Sequence, residues 1–353
     1  MMTLQEAIRA IRPPDAQVRE AALDRLREQA RPAGSLGVLE PLAAKLAAIA
    51  GTLDVRLTRK VIVTCAGDHG IVEEGVSVFP QEVTRQMVHN FVNGGASINV
   101  LAKHAGARVL VADLGVACDF DPEMPIFHRK VRKGTANFRR EPAMTRDEAI
   151  RSLEAGIGIV NKLVRDGGVD LLGTGDMGIG NTSPSTAIIA ALSGIPVAEL
   201  TGRGTGLGDE GLTRKIAVLT EALRLRAPDR DDPIDVLAKV GGCEIGGLAG
   251  LVIGAAANRI PVVCDGLIST AGALIAHGLA DGVSEYLFAS HRSVEVGHRY
   301  MHDRLGLEPL LDFGLRLGEG TGAALAFPML DAATRVLADI KTFAEVAIAD
   351  AQR

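Results

Sequence analysis

The feature that most constrains this chain is an alternation of two textures from residue 60 onward. Short β-branched apolar runs, each ending in Gly or Asp, are separated by longer Ala-rich segments of helical period. The runs KVIVTCAGDHG (60–70), ARVLVADLG (107–115), VDLLGTGDMG (169–178) and RIPVVCDG (259–266) are the clearest, and residues 285–289 follow the same pattern. Apolar runs of this length without polar alternation are strands buried on both faces, the strands of a parallel sheet. Helices are predicted between them at 83–104, 146–165, 184–193, 212–226, 243–258 and 267–279, and the capping box Thr145-x-x-Glu148 opens the second. The class is therefore α/β, a Rossmann-like parallel sheet with flanking helices.

The ends of the chain read differently. Thr3-x-x-Glu6 is a second capping box, Pro13-Pro14 is a break, and 15–30 and 37–50 repeat apolar residues at helical spacing. After the run at 285–293 come a helix to about residue 305, a strand-like LLDFGLRLGEGTG (310–322), and a helical tail, 321–350, interrupted at Pro328. We expect the two helical ends, 1–54 and 321–353, to pack together as a small domain beside an α/β catalytic domain at 55–320.

Charge and composition exclude several classes of partner. With 38 Lys and Arg against 43 Asp and Glu there is no basic surplus for a nucleic-acid backbone. The longest uncharged apolar stretch, Ile245 to Ala257, is too short to insert across a membrane, and Glu6 and Arg9 stand where a signal peptide needs an apolar core. A cytoplasmic protein is expected. Its four cysteines, Cys65, Cys118, Cys243 and Cys264, show no C-x-x-C spacing and read as buried free thiols. The 41 glycines fit either backbone lining a ligand or closely packed small-residue helices, and composition leaves both open.

Open parallel sheets bind ligands at the carboxyl ends of their strands, so the residues after each run carry the chemistry. Gly173-x-Gly175-x-x-Gly178 matches the dinucleotide spacing, but Gly180 to Pro184 delays the helix and Glu199 ends no strong strand. What survives is an anion site: Gly178 and Gly180 free backbone N–H groups, and Asn181, Thr182 and Ser183 supply donors at a helix N-terminus. A second glycine loop, 202–211, is followed by Lys215, and no GxxxxGK[ST] sequence is present. Asp68-His69 fits metal ligands, an acid–base pair or a structural hydrogen-bonder, and neither a His at i+4 nor a Cys/His cluster accompanies it. His291, His298 and His302 belong to no triad pattern, and no G-x-S-x-G elbow is present. Glu319, between Gly318 and Gly320, reads either as a buried general base or as an acid at a helix N-terminus.

Six segments taken together carry a resemblance: AGDHGIVEEGVSVFPQEVTRQMVHNF (66–91), GTGDMGIGNTSPSTA (173–187), GRGTGLGDEGLTRK (202–215), CDGLISTAGALIA (264–276), SHRSVEVGH (290–298) and LRLGEGTGAALA (315–326). The chain resembles the nicotinate-nucleotide:dimethylbenzimidazole phosphoribosyltransferase family over nearly its whole length. The resemblance implies transfer of phosphoribosyl from nicotinate mononucleotide to 5,6-dimethylbenzimidazole, with inversion at C1′, no cofactor or metal, and a homodimer. It also implies site residues. Glu319 matches the catalytic base and Asp176 a second catalytic carboxylate. Ser77, Phe79, Gln86, Met177 and Leu317 match the wall of the base pocket. Gly178, Gly180, Asn181, Thr182, Gly204, Lys215, Asp265, Ser290, His291 and Ser293 match the phosphoribosyl-binding segments. Asp176 departs from the Glu expected there and is one methylene shorter, which puts its reach in doubt.

Two other readings stand beside this one. The same chemistry on another base, such as adenine, a substituted benzimidazole or a phenol, is compatible with these pocket residues. A non-catalytic nucleotide binder would explain the glycine loops but not carboxylates buried beside an uncharged azole.

Overall fold

The chain is described by a computed structural model covering residues 2–347. Seven strands form one sheet: β1 (Lys60–Gly67), β2 (Ala107–Gly115), β3 (Phe127–His128), β4 (Leu171–Met177), β5 (Val262–Cys264), β6 (Leu287–His291) and β7 (Pro309–Leu311), in the order β3-β2-β1-β4-β5-β6-β7. All six pairings are parallel. The chain builds outward from β1 through β2 to β3, then returns to the other side of β1 with β4. The strand order thus reverses between β1 and β4, the position at which open parallel sheets carry a ligand crevice at their carboxyl ends. The α/β parallel-sheet expectation holds, because Val61 to Gly67 and Leu171 to Asp176 are buried throughout, as two-sided strands require.

Close helix packing is one use of glycine here. Helices Arg146–Arg165 and Cys243–Ala257 pack so closely that a Cβ built on Gly250 would stand 2.0 Å from the Leu153 carbonyl oxygen, and one on Gly156 would stand 2.1 Å from that of Gly247. No rotamer relieves a contact with backbone, so the helices would have to part. Gly250→Leu is expected to destabilise the fold by about 3 kcal/mol, the upper end of overpacking costs. A thermal melt unchanged from wild type would show that these helices do not meet as described.

The chain ends do pack together. Helices Ala16–Glu28 and Leu39–Ala50 lie against each other and against Thr321–Asp339, and Ala30 N–H donates to the Lys341 carbonyl at 2.9 Å. One continuous apolar cluster runs from Leu26, Leu46 and Leu330 into β1 and β4. No helix among the described residues is long and apolar enough to cross a membrane.

Four local expectations are corrected. The 83–104 helix is two, Glu82–Val92 and Ser97–His104, separated where Gly94 takes φ +77°. The last helix is not interrupted at Pro328: it continues to Asp339, because buried Ala324, Ala326, Phe327 and Leu330 hold it against the core despite the lost backbone hydrogen bond, and it ends at the extended Ile340. Residues 348–353 of that tail lie outside the described residues. The strand in 310–322 is confined to its start, since β7 ends at Leu311 and the chain turns at Gly314 (φ +65°), leaving Leu317 exposed. Cys118 is only half-buried, whereas Cys65, Cys243 and Cys264 are fully enclosed.

Candidate active site

The crevice between β1 and β4 is shaped by glycines with separate tasks. A Cβ on Gly178 would lie 2.2 Å from the Gly67 carbonyl oxygen, so glycine alone lets the two strand ends close on each other. Gly180 is left-handed at φ +86° and turns the chain into helix Thr182–Ser193. Gly173 and Gly175 are inside β4, not in a turn after it. A Cβ on Gly175 would stand 2.3 Å from the Glu319 carbonyl oxygen. The apparent dinucleotide spacing therefore joins two packing glycines to one turn glycine, and Gly175 is what allows the Glu319 backbone to lie on β4.

Glu319 is buried, with 6% of its surface exposed. Its Oε2 accepts the Ile98 N–H at 3.1 Å, at the start of helix Ser97–His104, and its Oε1 makes no hydrogen bond among the described residues. Both sequence readings meet in this group: it is an acid at a helix N-terminus, though not of the helix it precedes, and it keeps one oxygen free. Burial pushes its carboxyl above the usual range, and the Ile98 N–H pulls part of the way back. Its backbone is left-handed at φ +64°, between Gly318 at +83° and Gly320 at +100°.

Asp176 closes β4. Its Oδ2 accepts from Asn181 Nδ2 at 2.9 Å, while its Oδ1 is buried without a partner. Burial, followed by the Asp265 carboxylate, raises its pKa well above the usual value. Asp265 is fully buried. Its Oδ2 accepts the Gly320 N–H at 3.0 Å, and its Oδ1 accepts those of Gly322 at 2.7 Å and Ala323 at 3.2 Å. Burial pushes it up to about 7 against the pull of those N–H groups.

A cleft opens beside these carboxylates, lined by Asp176, Asn181, Thr182, Gly204, His291, Ser293, Glu295, Arg316, Leu317 and Gly318 among others. Lys215 stands behind it, fully buried, with Nζ donating to Thr182 Oγ1 at 2.7 Å. Burial pushes the Lys215 ammonium down to about 8, opposed by Glu295. Gly204 is left-handed at φ +55°, and its N–H donates to Glu295 Oε1 at 2.9 Å. A buried lysine and a helix N-terminus beside one cleft are the elements from which anion sites are built. Two wider clefts open at the amino end of β1, one lined by Thr58, Arg59 and Asp170 and the other by Thr58, Lys60, Gly106 and Asp331. They contain none of the residues expected from sequence, and Arg59 is ion-paired to Asp170.

Not every expected residue faces this cleft. The side chains of Asp265 and Ser290 are engaged behind it, Ser290 Oγ donating to the Asp265 carbonyl at 3.1 Å and meeting His291 Nδ1 at 2.8 Å. Ser77, Phe79 and Gln86 lie outside it, with Phe79 48% exposed, and Met177 is half-buried at the end of β4. His69 is structural: it is fully buried with Nε2 2.7 Å from Glu244 Oε1. Burial opposes its charge, but the Glu244 and Asp68 carboxylates outweigh burial and raise its pKa. Among the described residues no three His, Cys, Asp or Glu side chains are grouped to hold a metal ion. Sequence reasoning missed Glu295, Glu244 and Ile98. Only Glu244 left a signal, as a single charge in the apolar segment CEIGGLAGLVIGAAA.

A reversed strand order with a polar cleft at the strand ends marks an α/β protein that holds a small ligand there. The chain belongs to the phosphoribosyltransferases: a family model of that description matches residues 11–348. More narrowly, it belongs with the nicotinate-nucleotide–dimethylbenzimidazole phosphoribosyltransferases. The enzyme of that name from Geobacter sulfurreducens is 55% identical over 350 residues, 99% of each chain. The one from Geotalea uraniireducens is 55% identical over 352 residues, 100% of each chain. The crystal structure of CobT from Thermus thermophilus superposes with a TM-score of 0.91 at 46% identity, covering 94% of this chain and 99% of that one.

Proposed function

We infer that this enzyme transfers the phosphoribosyl group of nicotinate mononucleotide to 5,6-dimethylbenzimidazole, releasing nicotinate and forming α-ribazole 5′-phosphate for the lower ligand of cobalamin. The observation that carries this reading is end-to-end similarity to enzymes of that name, which extends over 99% or more of both chains.

The chemistry suits the site. As the C1′–N bond of nicotinate mononucleotide breaks, its electron pair returns to the pyridinium nitrogen and neutralises the ring, so the leaving group needs no acid. One azole nitrogen attacks C1′ from the opposite face, which gives the α configuration. The other nitrogen gives its proton to Glu319, through the Oε1 that no other group occupies. Proton count and charge balance, since Glu319 then releases the proton to water. Asp176, buried at the end of β4, is assigned as the second catalytic carboxylate. The 5′-phosphate is assigned to Lys215, Thr182, Gly204 and Ser293, with Gly178, Gly180, Asn181 and His291 shaping the ribose end. Met177 and Leu317, with Ser77, Phe79 and Gln86, are assigned to the base. Val78, Phe79, Phe313 and Leu317 are exposed apolar side chains, and a second copy of the chain covering them, as a homodimer, is part of this reading. We assign the reaction to the cytoplasm.

The test is a discontinuous assay with purified protein, both substrates and no added metal. Chromatography is expected to show nicotinate and a new riboside phosphate, formed only when both substrates are present. Absence of product here, with product from adenine or a phenol instead, would reassign the acceptor. Absence with every acceptor would remove the transferase reading.

A further inference from the structure

Glu319 occupies a backbone conformation that a glutamate does not adopt unaided. Residues 318–320 are three successive left-handed residues, and the middle one carries a side chain. A non-glycine residue held there is strained and persists only where its surroundings over-determine it. The surroundings are identifiable. Asp265, 0% exposed, accepts three N–H groups from Gly320, Gly322 and Ala323, all within four residues of Glu319. Thr64, fully buried in β1, donates Oγ1–H to the Glu319 carbonyl at 2.9 Å, and Glu319 N–H reaches the Asp176 carbonyl at 3.2 Å. A Cβ on Gly322 would meet His291 Nδ1 at 2.0 Å and Asp265 Oδ1 at 2.8 Å, so glycine at 322 is what admits the carboxylate to this position.

We propose that Asp265 and Thr64 are positioning residues for Glu319: they clamp the left-handed turn 318–320 from two strands and so aim the free Oε1 at the azole, without touching substrate. Asp265 grips the turn from its C-terminal side, at the end of β5. Thr64 grips it from β1, two pairings away in the sheet. This rests on Glu319 being the base, and the experiment separates the two claims.

Asp265→Asn keeps shape and volume but offers one acceptor oxygen where three N–H groups need two, and its amide N–H₂ would face a backbone N–H. The expected result is a tenfold or greater fall in kcat with KM for nicotinate mononucleotide within about threefold of wild type, since misplacing a catalytic group by an ångström costs on the order of a hundredfold. Thr64→Val, which removes only the hydroxyl, is expected to lower kcat about three- to tenfold and serves if the Asn variant folds poorly. The decisive measurement is the double variant. If Asp265 acts through Glu319, Asp265→Asn lowers turnover by less than threefold in a Glu319→Gln background. A raised KM with unchanged kcat would make Asp265 a ligand-binding residue and overturn the proposal, as would full additivity of the two substitutions. Wild-type turnover in Glu319→Gln alone would instead overturn the assignment of the base.

Discussion

Glu319→Gln is expected to keep nicotinate mononucleotide binding and lower turnover by about a hundredfold or more, the usual contribution of a positioned general base. The substitution is nearly isosteric, and its amide oxygen still accepts the Ile98 N–H. What disappears is the site for the azole proton. The pH profile carries a second signature. Burial raises the Glu319 carboxyl above its usual range, so the active, ionised form accumulates only as pH climbs through that raised value. The acidic limb of kcat/KM therefore lies above the ordinary glutamate pKa, and the Gln variant loses it. Stability moves the other way. A carboxyl whose folded pKa exceeds its unfolded one contributes stability that is complete below the unfolded value and lost as pH rises through the folded value. At neutral pH the Gln variant is thus expected to melt no lower than wild type. Turnover within a few-fold of wild type in this variant would sink Glu319 as the base.

Lys215→Met is expected to raise KM for nicotinate mononucleotide by about ten- to a hundredfold, the range of one charge-assisted hydrogen bond. It should also stabilise the empty protein. Lys215 is wholly buried with a single hydrogen bond, to Thr182, and its pKa of about 8 reports a charge the fold resists. The linkage has a definite sign: the unfolded chain keeps this proton to about pH 10.5, so between about 8 and 10.5 the unfolded state binds more protons and wild-type stability rises with pH from this group. Methionine fills a similar volume without the charge, so the variant gains at neutral pH what wild type gains only in alkali. Binding in wild type is expected to weaken as pH rises through about 8, and in the variant to be flat over that range. A KM that does not move in the variant would place the phosphate elsewhere.

How far the sequence announces these features depends on how local their causes are. The strands of the central sheet are legible because a strand buried on both faces writes its environment into consecutive residues, as Val61 to Cys65 do. The capping boxes at Thr3 and Thr145 form as read, each requiring only residues three apart. The edge strand β3, two residues long, carries too few side chains to stand out from loop, and β7 is a three-residue strand at the start of a longer run that reads as strand. Pro328 misleads for the opposite reason: its local effect is real, and long-range packing overrides it.

The same distinction runs through the site. Loops rich in glycine at strand ends, and the combination of segments that marks the family, are visible in the order of residues, and they determine the class of fold and the reaction. The fate of each charged group is not. Glu319 takes its hydrogen bond from Ile98, 221 positions away, Glu244 meets His69 from the start of an apolar helix, and Asp265 turns inward to Gly320 and Gly322. Sequence alone determined the central strands, most of the helices between them and the polar ends of those strands, because these follow from neighbouring residues. Tertiary structure alone decided which carboxylates lose water and which keep a free oxygen, because desolvation and donor supply come from elements far apart in the chain that only the closed sheet brings together.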